Sequence, residues 1–223
     1  MTSGIVLSLN VGRSEPNPAK DTDATGIGKR PVDHAVTVRR PGPKTTGLHS
    51  GVVGDFIGDT KHHGGDDQAV YAYAVEDYAW WAAELGRDLT PGLFGENLTT
   101  EGLDLYNAVL GEQWQVGDGV LLQTTFGRIP CSTFQHRMAE PRWIKRFAAT
   151  NRTGAYLRIL QEGEIRPGDR IEVVDRPAHG LTLAEAFDIY MHAPENLPRL
   201  LVAEALPPSL RDDIEKRLAK SSA

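Results

Sequence analysis

Short apolar or alternating stretches separated by Gly, Pro and Asp turns run through the first two thirds of the chain, a pattern that predicts a β-rich domain. Gly4 to Val11 reads as a first strand, Val32 to Arg39 alternates as a second, and Ala69 to Val75 is a third. Between the first two, Ser14 to Pro31 is rich in Pro, Asp, Gly and Thr and predicts a surface loop. After the third strand, Glu76 and Asp77 open a predicted helix through Tyr78, Trp80, Trp81 and Leu85, with Gly86 placed to end it.

Two later segments echo each other. Gly111 to Asp118 is followed by Val120 to Thr124, and Gly163 to Asp169 by Ile171 to Val174; each reads strand, Gly-Asp turn, strand. The echo predicts a β-barrel built from related hairpins. Between them, Trp143, Ile144 and Phe147 fall at helical spacing within Pro141 to Ala149, a helix expected to pack on the barrel.

Beyond Pro177 the pattern changes. Thr182-Leu183-Ala184-Glu185 is a capping box opening a helix toward Met191, and Ser209-Leu210-Arg211-Asp212 opens another toward Leu218. Pro194, Pro198, Pro207 and Pro208 divide this tail into about three short helices. The expected architecture is mainly β with α: a β-barrel domain with peripheral helices over residues 1–177, then a three-helix unit over 178–223.

At 223 residues the chain can bury a sizeable core. Its net charge of −6 argues against general affinity for nucleic acid or an anionic membrane, so any anion site must be local. A three-helix unit can read DNA, but acidic residues outnumber Arg199, Arg211, Lys216, Arg217 and Lys220 in the tail, which favours packing or dimerisation. The apolar run within Met1 to Val11 has no basic region before it and no small-residue cleavage site after it, and no stretch is long enough to span a bilayer. A cytoplasmic protein with a reduced thiol is the expectation.

That thiol is Cys131, the only cysteine, in Gly127-Arg128-Ile129-Pro130-Cys131-Ser132-Thr133-Phe134. Nearby Arg128, His136 and Arg137 would favour its thiolate, a nucleophile or soft-metal ligand. A small buried apolar role fits the same residue. Three polar clusters accompany it. Asp59 to Asp66 contains His62-His63-Gly64-Gly65; adjacent histidines without further ligands at metal-site spacing make poor chelators, and the glycines indicate a close approach to a ligand or to another chain segment. Pro91 to Leu98 carries Glu96-Asn97, where Asn97 either satisfies local backbone or presents its amide to a heterocycle. Asn151-Arg152-Thr153-Gly154 has the composition of a phosphate-holding turn, or of an exposed polar one.

Taken in order, His63-Gly64-Gly65 with Ala69-Val70-Tyr71, Phe94-Gly95-Glu96-Asn97-Leu98, the turns at Gly111 and Gly117-Asp118, and Arg128-Ile129-Pro130-Cys131 resemble the MOSC domain, the C-terminal domain of molybdenum cofactor sulfurases. Arg152 to Leu157, Gly168-Asp169 and Arg176-Pro177-Ala178-His179-Gly180 resemble its bacterial stand-alone subgroup with a three-helix C-terminal extension. The resemblance spans nearly the whole chain. One departure is Gly127, where many relatives have Pro, which would make the approach to the cysteine less rigid.

The resemblance implies a β-barrel, a molybdenum cofactor (molybdopterin) and a thiolate, Cys131, that binds molybdenum or carries sulfur. It makes His63, Gly64, Gly65, Asn97, Arg128, Arg152, Thr153 and Gly154 candidates for the cofactor pocket. It further implies an oxidoreductase, with a detoxifying role, that reduces small N-hydroxylated substrates such as hydroxylamines, amidoximes and hydroxylated bases, with His63 or a nearby acid delivering protons. The chain has no Rossmann fingerprint and no iron–sulfur cysteine set, so a separate electron-donor reductase is the implied partner. The alternatives are a sulfur carrier or cofactor-carrier module using a Cys131 persulfide, and a cofactor-free interaction protein. The oligomeric state is left open.

Overall fold

The computed structural model describes residues 3–20 and 24–221. Asp21, Thr22 and Asp23 of the expected loop, and residues 1, 2, 222 and 223 of the two expected units, lie outside the described residues. The strands of the N-terminal part are β1 (Ser3–Val11), β2 (Glu15–Pro16), β3 (Ala24–Thr25), β4 (Arg30–Val32) and β5 (Val36–Val38). A 3-10 turn (Asp66–Gln68), β6 (Val70–Ala74), α1 (Val75–Leu85), β7 (Leu98–Glu101), β8 (Gln113–Val116) and β9 (Val120–Phe126) follow. Then come α2 (Ser132–Met138), α3 (Trp143–Ala148), β10 (Ala155–Gln161), β11 (Gly163–Ile165) and β12 (Arg170–Asp175). The tail comprises α4 (Leu183–His192), a 3-10 helix (Pro194–Val202) and α5 (Pro208–Ser221).

Seven strands close a barrel in the order β12-β8-β9-β10-β6-β7-β1, with β1 returning to pair with β12 and β4 hanging on the end of β1. Closure removes the free edges that an open sheet would expose. The ladders are antiparallel except β6–β7, which α1 joins as a crossover and which pairs Ala72 with Leu98 in parallel. Every residue of β6 is buried: Val70, Ala72 and Ala74 belong to the barrel core, while Tyr71 and Tyr73 belong to an aromatic layer outside it. There Trp81 of α1, Phe134 of α2 and Trp143 and Phe147 of α3 pack with Phe94, Trp81 and Trp143 having ring centres 4.5 Å apart. Gly86 ends α1 in the left-handed region, φ 63°, where glycine has no Cβ to clash.

Three expectations are corrected. Val32 to Arg39 is not one strand: the chain bends after Val32, so β4 pairs with β1 while β5 pairs with β11. The expected loop Ser14 to Pro31 contains the β2–β3 pair and the first two residues of β4. Of the two expected hairpins only β8–β9 forms. In the second, the turn spends its backbone on β1 instead: Gly168 N–H donates to the Val6 carbonyl at 2.8 Å and Val6 N–H to the Asp169 carbonyl at 2.9 Å. Pro167, lacking an N–H, cannot extend a ladder between β11 and β12.

In the tail, Thr182 caps α4 by accepting from the Glu185 N–H at 3.1 Å. The middle helix is 3-10, with Pro198 inside it. Leu183, Ala186, Phe187, Ile189, Leu197, Leu200 and Ile214 lie in one apolar cluster with barrel residues such as Trp114 and Phe126. No helix among the described residues is long and apolar enough to cross a membrane.

Candidate functional site

Cys131 stands between the end of β9 and the start of α2, packed against the aromatic layer. Its backbone is extended, φ −128° and ψ 172°, and its carbonyl accepts the first helical hydrogen bond from Gln135 N–H at 3.0 Å. Opposite it, the loop ahead of β6 brings in His63. Glycine is required there twice: Gly64 and Gly65 have φ of 82° and 78°, and a Cβ would lie 2.5 Å from the His49 carbonyl oxygen and 2.8 Å from Lys44 Cα, respectively. The close approach is thus to the 44–49 segment.

Burial pushes the Cys131 thiol up, but hydrogen bonding to His63 and the Arg128 charge outweigh it and lower its pKa from 9.0 to about 6. His136 and Arg137, expected to act on the thiol, are exposed on α2, and it is His63 and Arg128 that lower its pKa. Arg128 is buried. Its Nη1 donates to the Phe94 carbonyl at 2.5 Å, its guanidinium lies 4.4 Å from the Phe134 ring centre and 5.2 Å from that of Tyr71, and its Nε has no protein partner. Gly95 makes room for it, since a Cβ there would lie 3.2 Å from Nη1.

These residues line an open cleft with a cavity volume of about 90 Å³. Lys29 and Asp55 form a buried ion pair in its wall at 2.5 Å. Asp55 also accepts from Gly12 N–H at 2.7 Å, the Ser50 hydroxyl at 2.8 Å and Asn97 Nδ2 at 3.1 Å. Asn97 lines the cleft but is committed to the protein, its Oδ1 accepting from Tyr71 N–H at 3.2 Å. Sequence reasoning missed Lys29 and Asp55; the one signal was Gly26-Ile27-Gly28-Lys29, an apolar residue between glycines in an otherwise polar segment.

Among the residues singled out from the sequence, Cys131, His63, Gly64, Asn97 and Arg128 come together in the cleft wall, and Gly65 stands just behind it. Arg152, Thr153 and Gly154 do not line it. Arg152 pairs with Asp77 at 2.6 Å and lies over the rings of Trp80 and Tyr106, so its charge is spent on α1 instead of on a phosphate. The Thr153 carbonyl accepts from the Tyr71 hydroxyl at 2.8 Å and Arg128 N–H at 3.3 Å, supporting the wall from behind. Gly154, φ 64°, sits where a Cβ would meet the Ala72 carbonyl at 2.4 Å. Gly127 loosens nothing: its Cβ position is 2.2 Å from Thr153 Oγ1, so glycine is what lets the two strand ends close up.

A small barrel with a thiolate-favouring cysteine in a cleft beside it fits the class to which comparison also assigns the chain. The MOSC domain model matches residues 59–172, and the chain belongs to that family. It is 33% identical to the uncharacterized protein YflK of Bacillus subtilis over 95% of this chain and 93% of that protein. It is 32% identical to a protein named Reductase from Gibberella moniliformis over 78% of this chain, which spans only 30% of that longer protein. The crystal structure of YiiM from Geobacillus stearothermophilus superimposes with a TM-score of 0.78 at 31% identity, covering 96% of this chain and 99% of that one.

Proposed function

We propose that this protein is a molybdenum-cofactor-dependent oxidoreductase that reduces N-hydroxylated compounds, with Cys131 as the protein's ligand to the metal. The observation that carries the reading is the pairing of a thiolate-favouring Cys131 with His63 and buried Arg128 in the wall of one cleft. Among the described residues no group of three His, Cys, Asp or Glu could hold a metal ion, so a metal at Cys131 would have to arrive with most of its ligands in place, as a pterin dithiolene provides. The residues present suit such a group: one soft anionic donor and the unpartnered Nε of Arg128, both in the wall of an open cleft. The relative named Reductase, much longer than this chain, is consistent with reducing chemistry.

When bound, the cofactor supplies the two-electron chemistry that takes oxygen from the substrate nitrogen. Overall, N–OH plus two protons and two electrons gives N–H and water, and the electrons come from a separate reductase. The chain's own parts are narrower. Cys131 binds as thiolate, Arg128 stabilises that charge, and His63, beside the thiol, holds a proton close to the reacting end of the substrate. Lys29, Asp55 and Asn97 keep the wall of the cleft rigid. A cytoplasmic setting keeps the thiol reduced.

Molybdenum per chain, measured on protein from a cofactor-producing host, tests this directly. Near-stoichiometric metal in the native protein and its loss in Cys131→Ser are expected, together with turnover of an N-hydroxylated substrate by the loaded protein and a competent electron donor. Folded native protein without molybdenum, which instead gains a Cys131 persulfide from a sulfur donor, would overturn the reductase reading in favour of sulfur transfer.

A further inference from the structure

The loop that carries His63 is fixed in two directions. Toward the 42–49 segment, Gly65 N–H donates to the His49 carbonyl at 2.9 Å and Gly42 N–H to the Asp66 carboxylate at 2.9 Å. Toward the barrel, the tie runs through Asp67. Its carboxylate accepts from Arg158 Nε at 3.1 Å and Nη2 at 2.5 Å, and its carbonyl accepts from the Thr125 hydroxyl at 2.6 Å. Arg158 stands on β10 with its neighbours Leu157 and Ile159 turned into the core, and it faces Gln123 of β9, whose Oε1 accepts from Nη1 at 3.0 Å. Two features of this clasp point beyond packing. Gln123 and Thr125 belong to β9, the strand that leads on to Arg128 and Cys131, so the clasp ties the His63 loop to the element that delivers the thiol. Asp67 follows His63 by four residues, with Gly64 and Gly65 at positive φ between them, a stretch whose backbone restrains itself weakly.

We propose that Arg158 is a positioning residue: acting through Asp67, it sets the place of the loop that holds His63 beside Cys131. Arg158 does not line the cleft, so it acts at one remove from anything bound there. Its fork on a carboxylate is the geometry in which an ion pair directs as well as attracts. The pair is also partly exposed, side chains 24% and 28% accessible, and so contributes little to overall stability; its effect is local. The assignment holds whether or not the cleft takes a molybdenum cofactor.

A double-mutant cycle on the full chain without cofactor tests this, read as the rate at which iodoacetamide alkylates Cys131 at pH 7. His63→Ala slows that reaction by withdrawing a group that favours the thiolate. Arg158→Gln is expected to slow it by about threefold or more, within the range of couplings between contacting residues, and to have no further effect once His63 is alanine. Arg158→Lys, which keeps the charge without the fork, should recover part of the rate. Asp67→Asn, which leaves β10 untouched, should reproduce Arg158→Gln and serves in its place if that variant does not fold. No slowing in either variant, or slowing that persists undiminished in the His63→Ala background, would overturn the proposal. Hydrogen exchange gives a second reading: faster exchange confined to residues 59–68 is expected, and faster exchange throughout β9 and β10 would mark Arg158 as structural only. Because neither readout needs metal, absence of molybdenum would defeat the reductase reading and leave this one standing.

Discussion

At Cys131 burial and charge oppose one another, and the charged neighbours win. A folded-state pKa of about 6 against 9.0 for an ordinary thiol means that most of the sulfur is thiolate at pH 7. In cofactor-free protein the rate of iodoacetamide modification should therefore fall as pH drops through about 6. His63→Ala, which removes a group favouring the anion, should move that midpoint upward toward 9. The linked stability has a fixed sign: a depressed pKa stabilises the fold fully above 9 and loses that contribution as pH falls through about 6. An unchanged midpoint in His63→Ala would show that His63 does not act on the thiol. Arg128 was legible from its place three residues before the cysteine. His136 and Arg137 follow the cysteine by five and six residues, but their positions on α2 carry them to its exposed face, and only three-dimensional closure of the 59–65 loop brings in His63.

At the scale of elements, the site depends on the crossover β6–α1–β7, because the segment between α1 and β7 carries Phe94, Glu96 and Asn97. Tyr78 of α1 ties this segment down: its hydroxyl accepts from Phe94 N–H at 2.9 Å and donates to buried Glu96 at 2.9 Å. Tyr78→Phe leaves both groups short of a partner and should cost about 1–3 kcal/mol in urea unfolding. Asn97→Ala orphans the Tyr71 amide and removes one donor to Asp55, and a loss of similar size, about 1–3 kcal/mol, is expected. A loss of molybdenum without any loss of stability in Asn97→Ala would instead mark Asn97 as a cofactor contact. The pattern of the chain exposed β6 because both its faces are buried, and α1 because Gly86 and the helical spacing agree. It did not expose α2, whose buried face amounts to Phe134 and Met138 alone. Nor did it expose the pairing of β11 with β5, because the local Gly-Asp signal for a hairpin is identical whether the turn's amides stay within it or bond to β1.

At the scale of the molecule, the change in pattern at Pro177 marks where strands give way to helices, yet the apolar residues on either side meet in one cluster. Phe187 of α4 is the test of that continuity: it is fully buried, and its ring centre lies 6.4 Å from that of Phe126 at the end of β9, just before the segment that delivers Arg128 and Cys131. Phe187→Ala opens a cavity at this junction and should cost about 3–5 kcal/mol. If the shared cluster makes barrel and tail one cooperative unit, denaturant unfolding followed by circular dichroism and by tryptophan fluorescence will give a single transition, shifted as a whole in the variant. The probes differ enough for the purpose, because Trp80, Trp81 and Trp143 lie in the aromatic layer outside the barrel, away from the cluster shared with the tail, while α4 and α5 contribute to the helical signal. Two transitions, with only the helical one moved, would mean that the tail folds by itself.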